Sequence, residues 1–99
     1  NEGAMAIANA LCGNPFLESL ELQICGIGCE GGTALGDALT RNQVLKELDL
    51  SGNQIKDEGA LAIASVLQHS NKSLTLLHLQ DNGIGDVGAV GFAEMLQSN

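Results

Sequence analysis

A pattern of leucines recurs three times along the chain at nearly constant spacing, and this recurrence limits the folds that 99 residues can adopt. Residues 17–27, 45–55 and 74–84 each read L-x-x-L-x-L-x-x-N/C-x-I, and the second period is one residue longer than the first. A fixed period of about 28 residues is typical of proteins built from stacked structural units. We therefore expect a core made of thin layers. The composition agrees, because the chain has no Trp or Tyr and only two Phe.

The first half of each period predicts a β-strand. Successive side chains of a strand point to opposite faces, so the middle leucine of each pattern is expected to point into the core: Leu20, Leu48 and Leu77. Asn53 and Asn82 follow their strands, and Cys25 takes the same place in the first unit. A carboxamide can both donate and accept hydrogen bonds. We therefore expect the two asparagines to join neighbouring turns and Cys25 to point inward like them.

The second half of each period predicts an α-helix. In one unit, apolar and small residues lie at i, i+3, i+4, i+7 and i+8, which places them on one helical stripe: Gly59, Ala62, Ile63, Val66 and Leu67. Equivalent stretches begin at residues 3, 31 and 88, so four helices are expected. Small residues at the first two positions should let each helix approach the sheet closely. Asn1, Asp57 and Asp86 are the predicted N-caps.

Asparagines also recur near the end of each period, at positions 14, 42, 71 and 99. Asn42 lies three residues beyond Leu39, whereas Asn71 lies four residues beyond Leu67. The extra residue of the longer period is therefore expected within 68–70.

Parallel strands need a crossover connection, and a helix of this length supplies it. The expected fold is a right-handed α/β solenoid, a horseshoe segment with a parallel sheet on its concave side and helices on its convex side. We expect one leucine-rich domain over residues 1–99, divided into a partial unit 1–16 and units 17–44, 45–73 and 74–99. Neither end has a polar capping unit, so the chain is expected to be a fragment whose ends can self-associate.

The outward strand positions form the concave side of the predicted solenoid. We call the following nine residues the wall: Ser19, Glu21, Gln23, Glu47, Asp49, Ser51, Leu76, His78 and Gln80. Glu21, Glu47 and Asp49 make an acidic patch, and Leu76 is apolar where the pattern predicts exposure. The chain carries a formal charge of −8. Complementary charge steers association, so the wall is predicted to dock a basic protein; the alternative is a face that only keeps the chain soluble.

No catalytic, cofactor-binding or metal-binding set of residues is expected. The two histidines and three cysteines do not have the spacing of a zinc site, and the Gly-rich stretches lack the ending of a phosphate-binding loop. The acidic charge disfavours nucleic acid and anionic membranes as partners, and no apolar run is long enough for a membrane span. An odd number of cysteines favours a reducing compartment, the cytoplasm. Cys12 aligns with polar helix-end residues and is the thiol expected to be exposed.

The strand pattern, the turn asparagines and the helical stripe together resemble the ribonuclease-inhibitor-type leucine-rich repeats. That family includes ribonuclease inhibitor, the sensor domains of NOD-like receptors, the Ran GTPase-activating protein and tropomodulin. The resemblance covers the whole chain. It implies a non-enzymatic protein-interaction module, part of a larger intracellular receptor or scaffold. A regulator of a target enzyme, either an inhibitor or a GTPase activator, and a structural or assembly spacer remain open as alternatives.

Overall fold

Helices and strands alternate along the chain. The structure is a computed structural model, and it describes residues 2–85. The elements are α1 (Glu2–Cys12), β1 (Ser19–Glu21), α2 (Cys29–Arg41), β2 (Glu47–Asp49), α3 (Lys56–His69) and β3 (Leu76–His78). The strands form one parallel sheet in the order β1-β2-β3. Alternating strands and helices with a parallel sheet are confirmed. The fourth predicted helix and the predicted caps Asn1 and Asp86 lie outside the described residues.

The leucines of the strands and the apolar stripes of the helices form one continuous core. Leu48 of β2 is completely buried, as are Leu35 of α2 and Ile63 of α3. The sheet register pairs Leu48 with Leu20 on one side and with Leu77 on the other. These two flanking leucines pack against the core but are only partly buried. The prediction that Leu20, Leu48 and Leu77 point into the core is therefore confirmed, and Leu48 at the centre of the row is the most buried of the three.

Glycines let the helices approach the turn that precedes α3. A Cβ atom added to Gly59 would lie 2.5 Å from Cγ2 of Ile55 and 3.4 Å from the backbone of Cys29. One added to Gly32 would lie 3.0 Å from the same Cγ2 atom. Ile55 has no exposed surface and fills the space between the two glycines. At Gly59, where a small residue was expected to admit the sheet, the neighbours are Ile55 and the start of α2.

The turn after β2 is held by the side chain of Asn53, as predicted. Its Nδ2 donates hydrogen bonds to the carbonyl oxygens of Leu22, at 2.9 Å, and Leu50, at 2.8 Å. Its Oδ1 accepts from the backbone N–H groups of Cys25, at 2.9 Å, and Ile27, at 3.0 Å. The strand-end asparagines thus form a ladder, which Asn82 continues by donating to the carbonyl oxygens of the preceding and its own unit. This ladder joins each unit to the one before it.

A second ladder of asparagines runs along the helix ends. The Nδ2 atom of Asn71 donates to the carbonyl oxygens of Leu39 and Asn42, both at 2.8 Å. In the same way, Nδ2 of Asn42 donates to the carbonyl oxygens of Leu11 and Asn14, at 2.9 and 3.1 Å. The sequence revealed the recurrence of these asparagines but not their role. Both Asn42 and Asn71 are buried and hydrogen-bonded.

The extra residue of the longer period lies at the end of α3, as predicted. The backbone N–H groups of Ser70 and Asn71 both donate to the carbonyl of Val66, whereas α2 closes with a single bond from Asn42 to Ala38. The wider last turn accommodates the added residue and keeps Asn71 in line with Asn42.

The predictions about two of the thiols are wrong. Cys25 is exposed and Cys12 is half-buried, the reverse of the expectation. The side chain of Asn53 reaches the preceding unit, so the same position in the first unit lies at the free edge of the sheet. Beyond β1 the described part of the chain has no further strand that could cover Cys25.

The prediction that Asp57 caps a helix is also wrong. Asp57 does not precede its helix, because α3 begins at Lys56. Its carboxylate accepts a hydrogen bond from the backbone N–H of Gly85, at 2.6 Å. Asp57 therefore links α3 to the next unit.

Candidate protein-interaction surface

The parallel register arranges the wall in rows across the sheet. Glu47 lies between Ser19 and Leu76 in the first row. Asp49 lies between Glu21 and His78 in the second row. The remaining three wall residues follow the strands and continue the same columns: Gln23, Ser51 and Gln80. Neighbouring strands are about 4.8 Å apart, so side chains of one row are direct neighbours.

The wall is open to solvent on the face opposite the leucine core. Six of its side chains are exposed and three, Asp49, Ser51 and His78, are half-buried. The first two rows line a shallow depression with Leu20 and Leu48 beneath them. Leu76 is 43% exposed at the margin of this depression, so an apolar side chain stands beside the acidic ones. The result is a shallow surface on which acidic and apolar side chains are mixed.

Asp49 is the most constrained acidic group of the wall. Its Oδ1 accepts hydrogen bonds from the backbone N–H of Ser51, at 3.0 Å, and from the hydroxyl of Ser51, at 2.7 Å. These two bonds lower the pKa of Asp49 below its ordinary value, and the nearby His78 lowers it further. Hydrogen bonds to the charged form favour that form, so Asp49 carries its negative charge over a wider pH range than a free aspartate.

The three acidic side chains of the wall are adjacent. Glu21 lies directly across from Asp49 in the register, and Glu47 lies two residues before Asp49 on the same face of β2. Like charges placed opposite each other in a sheet are unfavourable, and a cationic group from a partner would relieve them. The patch therefore places three carboxylates side by side on one face of the sheet.

Other reactive side chains are scattered. Within residues 2–85, no group of three His, Cys, Asp or Glu side chains is placed to hold a metal ion. His69 ends α3, whereas His78 lies in β3. The three thiols are free. None of the helices in this part of the chain is long and apolar enough to cross a membrane.

Comparison with known proteins agrees with this architecture. Residues 13–36, 41–64 and 70–93 each match the leucine-rich repeat pattern. The chain belongs to the leucine-rich repeat family. The starts of the three matches are spaced like the leucine pattern, because the second interval is again one residue longer than the first. No curated protein matches the sequence significantly.

Among solved structures, 32 chains match this leucine-rich repeat chain significantly. One of them is "Leiomodin-1 Actin-Binding Site 2 (ABS2)". The similarity has a TM-score of 0.91 with 28% sequence identity. It covers 100% of this chain but only 58% of the other, so the chain spans a little over half the length of that structure. The name of that structure identifies it as an actin-binding site.

Two strongly exposed apolar side chains lie outside the wall and were missed in the sequence. Phe16 is 84% exposed and Ile24 is 83% exposed. Ile24 has a φ of 52°, a left-handed conformation that β-branched residues rarely adopt. The equivalent positions, Gly52 and Asp81, have φ values of 72° and 58°. The alignment of Ile24 with a glycine and an aspartate was the signal that could have identified an exposed turn position.

Proposed function

We propose that the wall is a docking surface for a protein partner with a basic surface, and that the chain is the interaction module of a larger receptor or scaffold. The observation that carries this proposal is the adjacency of the acidic columns of β1 and β2 on an uncovered sheet face, with Glu21 opposite Asp49. Leu76 supplies an apolar contact beside them. A basic partner gains both charge complementarity and a small apolar anchor from this combination.

The finer description of the fold belongs to the same proposal. We propose that the repeats are of the ribonuclease-inhibitor type, with the wall on the concave side, and that units 17–44, 45–73 and 74–99 follow a partial unit 1–16. Periods of about 28 to 29 residues support this subtype. Helices of 13 and 14 residues, which follow the first two strands, support it as well. A concave wall would surround a convex partner rather than merely touch it.

Actin is the first partner to test, because the similar leiomodin-1 structure is that of an actin-binding site. The test is a titration of labelled monomeric actin with the chain, followed by fluorescence anisotropy. The informative variant is Glu21→Lys with Glu47→Lys, since both residues are exposed and neither carboxylate has a hydrogen-bond or ion-pair partner within residues 2–85. We expect this double variant to weaken binding at least about tenfold, which corresponds to 1.4 kcal/mol.

The matched control is Glu30→Lys with Asp37→Lys, which changes the net charge equally on exposed positions of α2. It should bind within about twofold of the original chain, because only the general electrostatic attraction changes. Equal losses for both double variants would refute a role for the wall. Binding of a basic protein with no binding of actin would keep the wall as the docking surface and replace actin as the partner.

We also propose that the chain works in the cytoplasm. Three free cysteines in one small domain support a reducing compartment. Fractionation of cells that produce the full-length protein tests this assignment, and recovery from the secretory pathway would contradict it.

A further inference from the structure

The few basic side chains of this acidic chain are concentrated at one edge of the molecule, where the helices end and the following strands begin. Three of the four Lys and Arg residues lie there, and all three are exposed: Arg41, Lys46 and Lys72. We call residues 13–18, 41–46 and 70–75 the loop edge. Its three cations and one carboxylate, Glu18, give it a formal charge of +2, opposite in sign to the net charge of −8.

Two of these cations are free to bind a ligand. Within residues 2–85 the side chains of Arg41 and Lys72 have no hydrogen-bond or ion-pair partner. Cations near a helix end often compensate its free carbonyl groups, but the asparagine ladder already donates to the carbonyl oxygens of Leu39 and Asn42. Lys72 also lies beyond the end of α3, where the field of the helix dipole falls off. The helix ends therefore leave these two charges unused.

The side chain of Gln43 holds the two cations beside each other. Its Nε2 donates to the carbonyl oxygen of Ser70, at 2.8 Å, and its Oε1 accepts from the backbone N–H of Lys72, at 3.1 Å. Arg41 lies two residues before Gln43. Because Gln43 ties the loop after α2 to the loop after α3, the backbone positions of Arg41 and Lys72 are fixed relative to each other.

A shallow pocket lies beside Arg41 on the loop edge. It is formed by residues 12–15 and 41–44, and Pro15 and Val44 supply apolar walls. Pro15 is exposed and Val44 is half-buried. Within the described part of the chain, no Asp or Glu lines this pocket. It therefore offers an apolar contact next to a guanidinium group.

We propose that the loop edge binds an acidic segment of a partner protein, with carboxylates on Arg41 and Lys72 and an apolar side chain between Pro15 and Val44. Charge complementarity supports this occupant, because Arg binds a carboxylate through two parallel hydrogen bonds and Lys adds a point charge. Salt at physiological concentration screens exposed charges beyond about 8 Å, so the distant carboxylates of the chain act weakly here. The proposal does not rest on the wall, which would take a partner of the opposite charge.

The probe is the blocked peptide Glu-Asp-Leu-Asp-Glu, and the measurement is an NMR titration of the 99-residue chain. We expect the peptide to shift the side-chain N–H signal of Arg41, the backbone amide signal of Lys72 and the methyl signals of Val44. A control peptide in which amides replace the carboxylates, Gln-Asn-Leu-Asn-Gln, should leave these signals unchanged.

Two variants that each remove one cation test the location. Lys72→Gln changes the loop edge, whereas Lys56→Gln changes an exposed position at the other end of α3. Lys72→Gln should weaken peptide binding at least about fivefold, and Arg41→Gln with Lys72→Gln at least about tenfold. Lys56→Gln should leave binding within about twofold. The two single variants should melt like the original chain, since neither side chain is hydrogen-bonded within residues 2–85.

Absence of peptide binding, equal effects of the acidic and amide peptides, or equal effects of Lys72→Gln and Lys56→Gln would overturn the proposal. A parallel titration uses an oligothymidylate of the same charge as the peptide, and we expect it to bind more weakly because it has no carboxylates and no aliphatic side chain. Tighter binding of the oligothymidylate through Arg41 and Lys72 would also overturn the proposal, because nucleic acid would then be the occupant.

Discussion

The first and the central units of the stack carry the same leucine pattern, yet they differ in how well that pattern is covered. Leu45 and Leu48 of the central unit have no exposed surface, whereas Leu17 is 37% exposed and Leu20 is only partly buried. The turn position is a buried asparagine in the central unit and an exposed cysteine in the first. Burial in a repeat protein is a property of neighbouring pairs of units, because each unit contacts only the units beside it.

The largest difference in stability between the two units is expected from substitution of their middle leucines, Leu48 and Leu20. Leu48→Ala should lower the free energy of unfolding by about 2 to 5 kcal/mol, since it removes a fully enclosed side chain and leaves a cavity. Leu20→Ala should cost clearly less, because part of that side chain already contacts water. Urea denaturation followed by circular dichroism measures both. Equal losses of unfolding free energy for the two variants would show that the two units are equally well packed, and would contradict the difference in burial between them.

The next difference concerns the strand-end ladder. Asn53→Ala should cost about 1 to 3 kcal/mol, because the backbone N–H groups of Cys25 and Ile27 lose their acceptor. Cys25→Ala should change stability by less than about 0.5 kcal/mol, because the thiol is exposed. Thermal melting of the two variants provides the measurement. An unchanged melting temperature for Asn53→Ala would contradict the structural role of the ladder.

A smaller effect of opposite sign is expected at the exposed turn of the first unit. Ile24→Gly should stabilise the chain by about 1 kcal/mol, since glycine adopts a positive φ without steric cost and Ile24 buries little surface. Gly52→Ala should destabilise it, because the new Cβ would lie 2.8 Å from Cγ1 of Ile24. Denaturation midpoints compare the two, and destabilisation by Ile24→Gly would show that this side chain makes a packing contribution.

The accessibility of the three thiols tests the same difference between units without any substitution that could change stability. Cys25 is exposed, whereas Cys12 and Cys29 are half-buried. A neutral maleimide should therefore label Cys25 first, and mass spectrometry of short reaction times identifies the modified residue. Faster labelling of Cys12 would support the expectation from the sequence and contradict the assignment from the structure.

The sequence predicted those features that every unit repeats. Leu48, Asn53 and the stripe that contains Ile63 could be assigned from the period alone, because a feature that recurs in every period takes the same place in each unit. The columns of the wall followed from strand alternation in the same way. Whether the wall binds a partner stays a prediction, since solvent exposure is a property shared by functional and merely soluble surfaces.

The features that the sequence did not reveal depend on which unit lies next to which. Cys25 replaces an asparagine that is buried elsewhere, but its exposure follows from the free edge of β1. Asp57 has the residue type of a helix cap, yet its carboxylate is close enough to Gly85 to bond the next unit. Asn42 and Asn71 were visible as a recurrence, but their role required the positions of carbonyl groups at the end of the preceding helix. Such contacts are set by tertiary geometry and not by local pattern.

The regular placement of the wall has a consequence for the shape of its ligands. Side chains of the wall are about 4.8 Å apart across the strands and about 6.6 Å apart along each strand, because alternate residues share a face. An extended peptide repeats its own side chains at about 6.6 Å and so matches the direction along a strand. An α-helix advances about 5.4 Å per turn and comes closer to the spacing across the strands. We therefore expect an extended partner segment to lie along the strands of the wall and a helical one to lie across them.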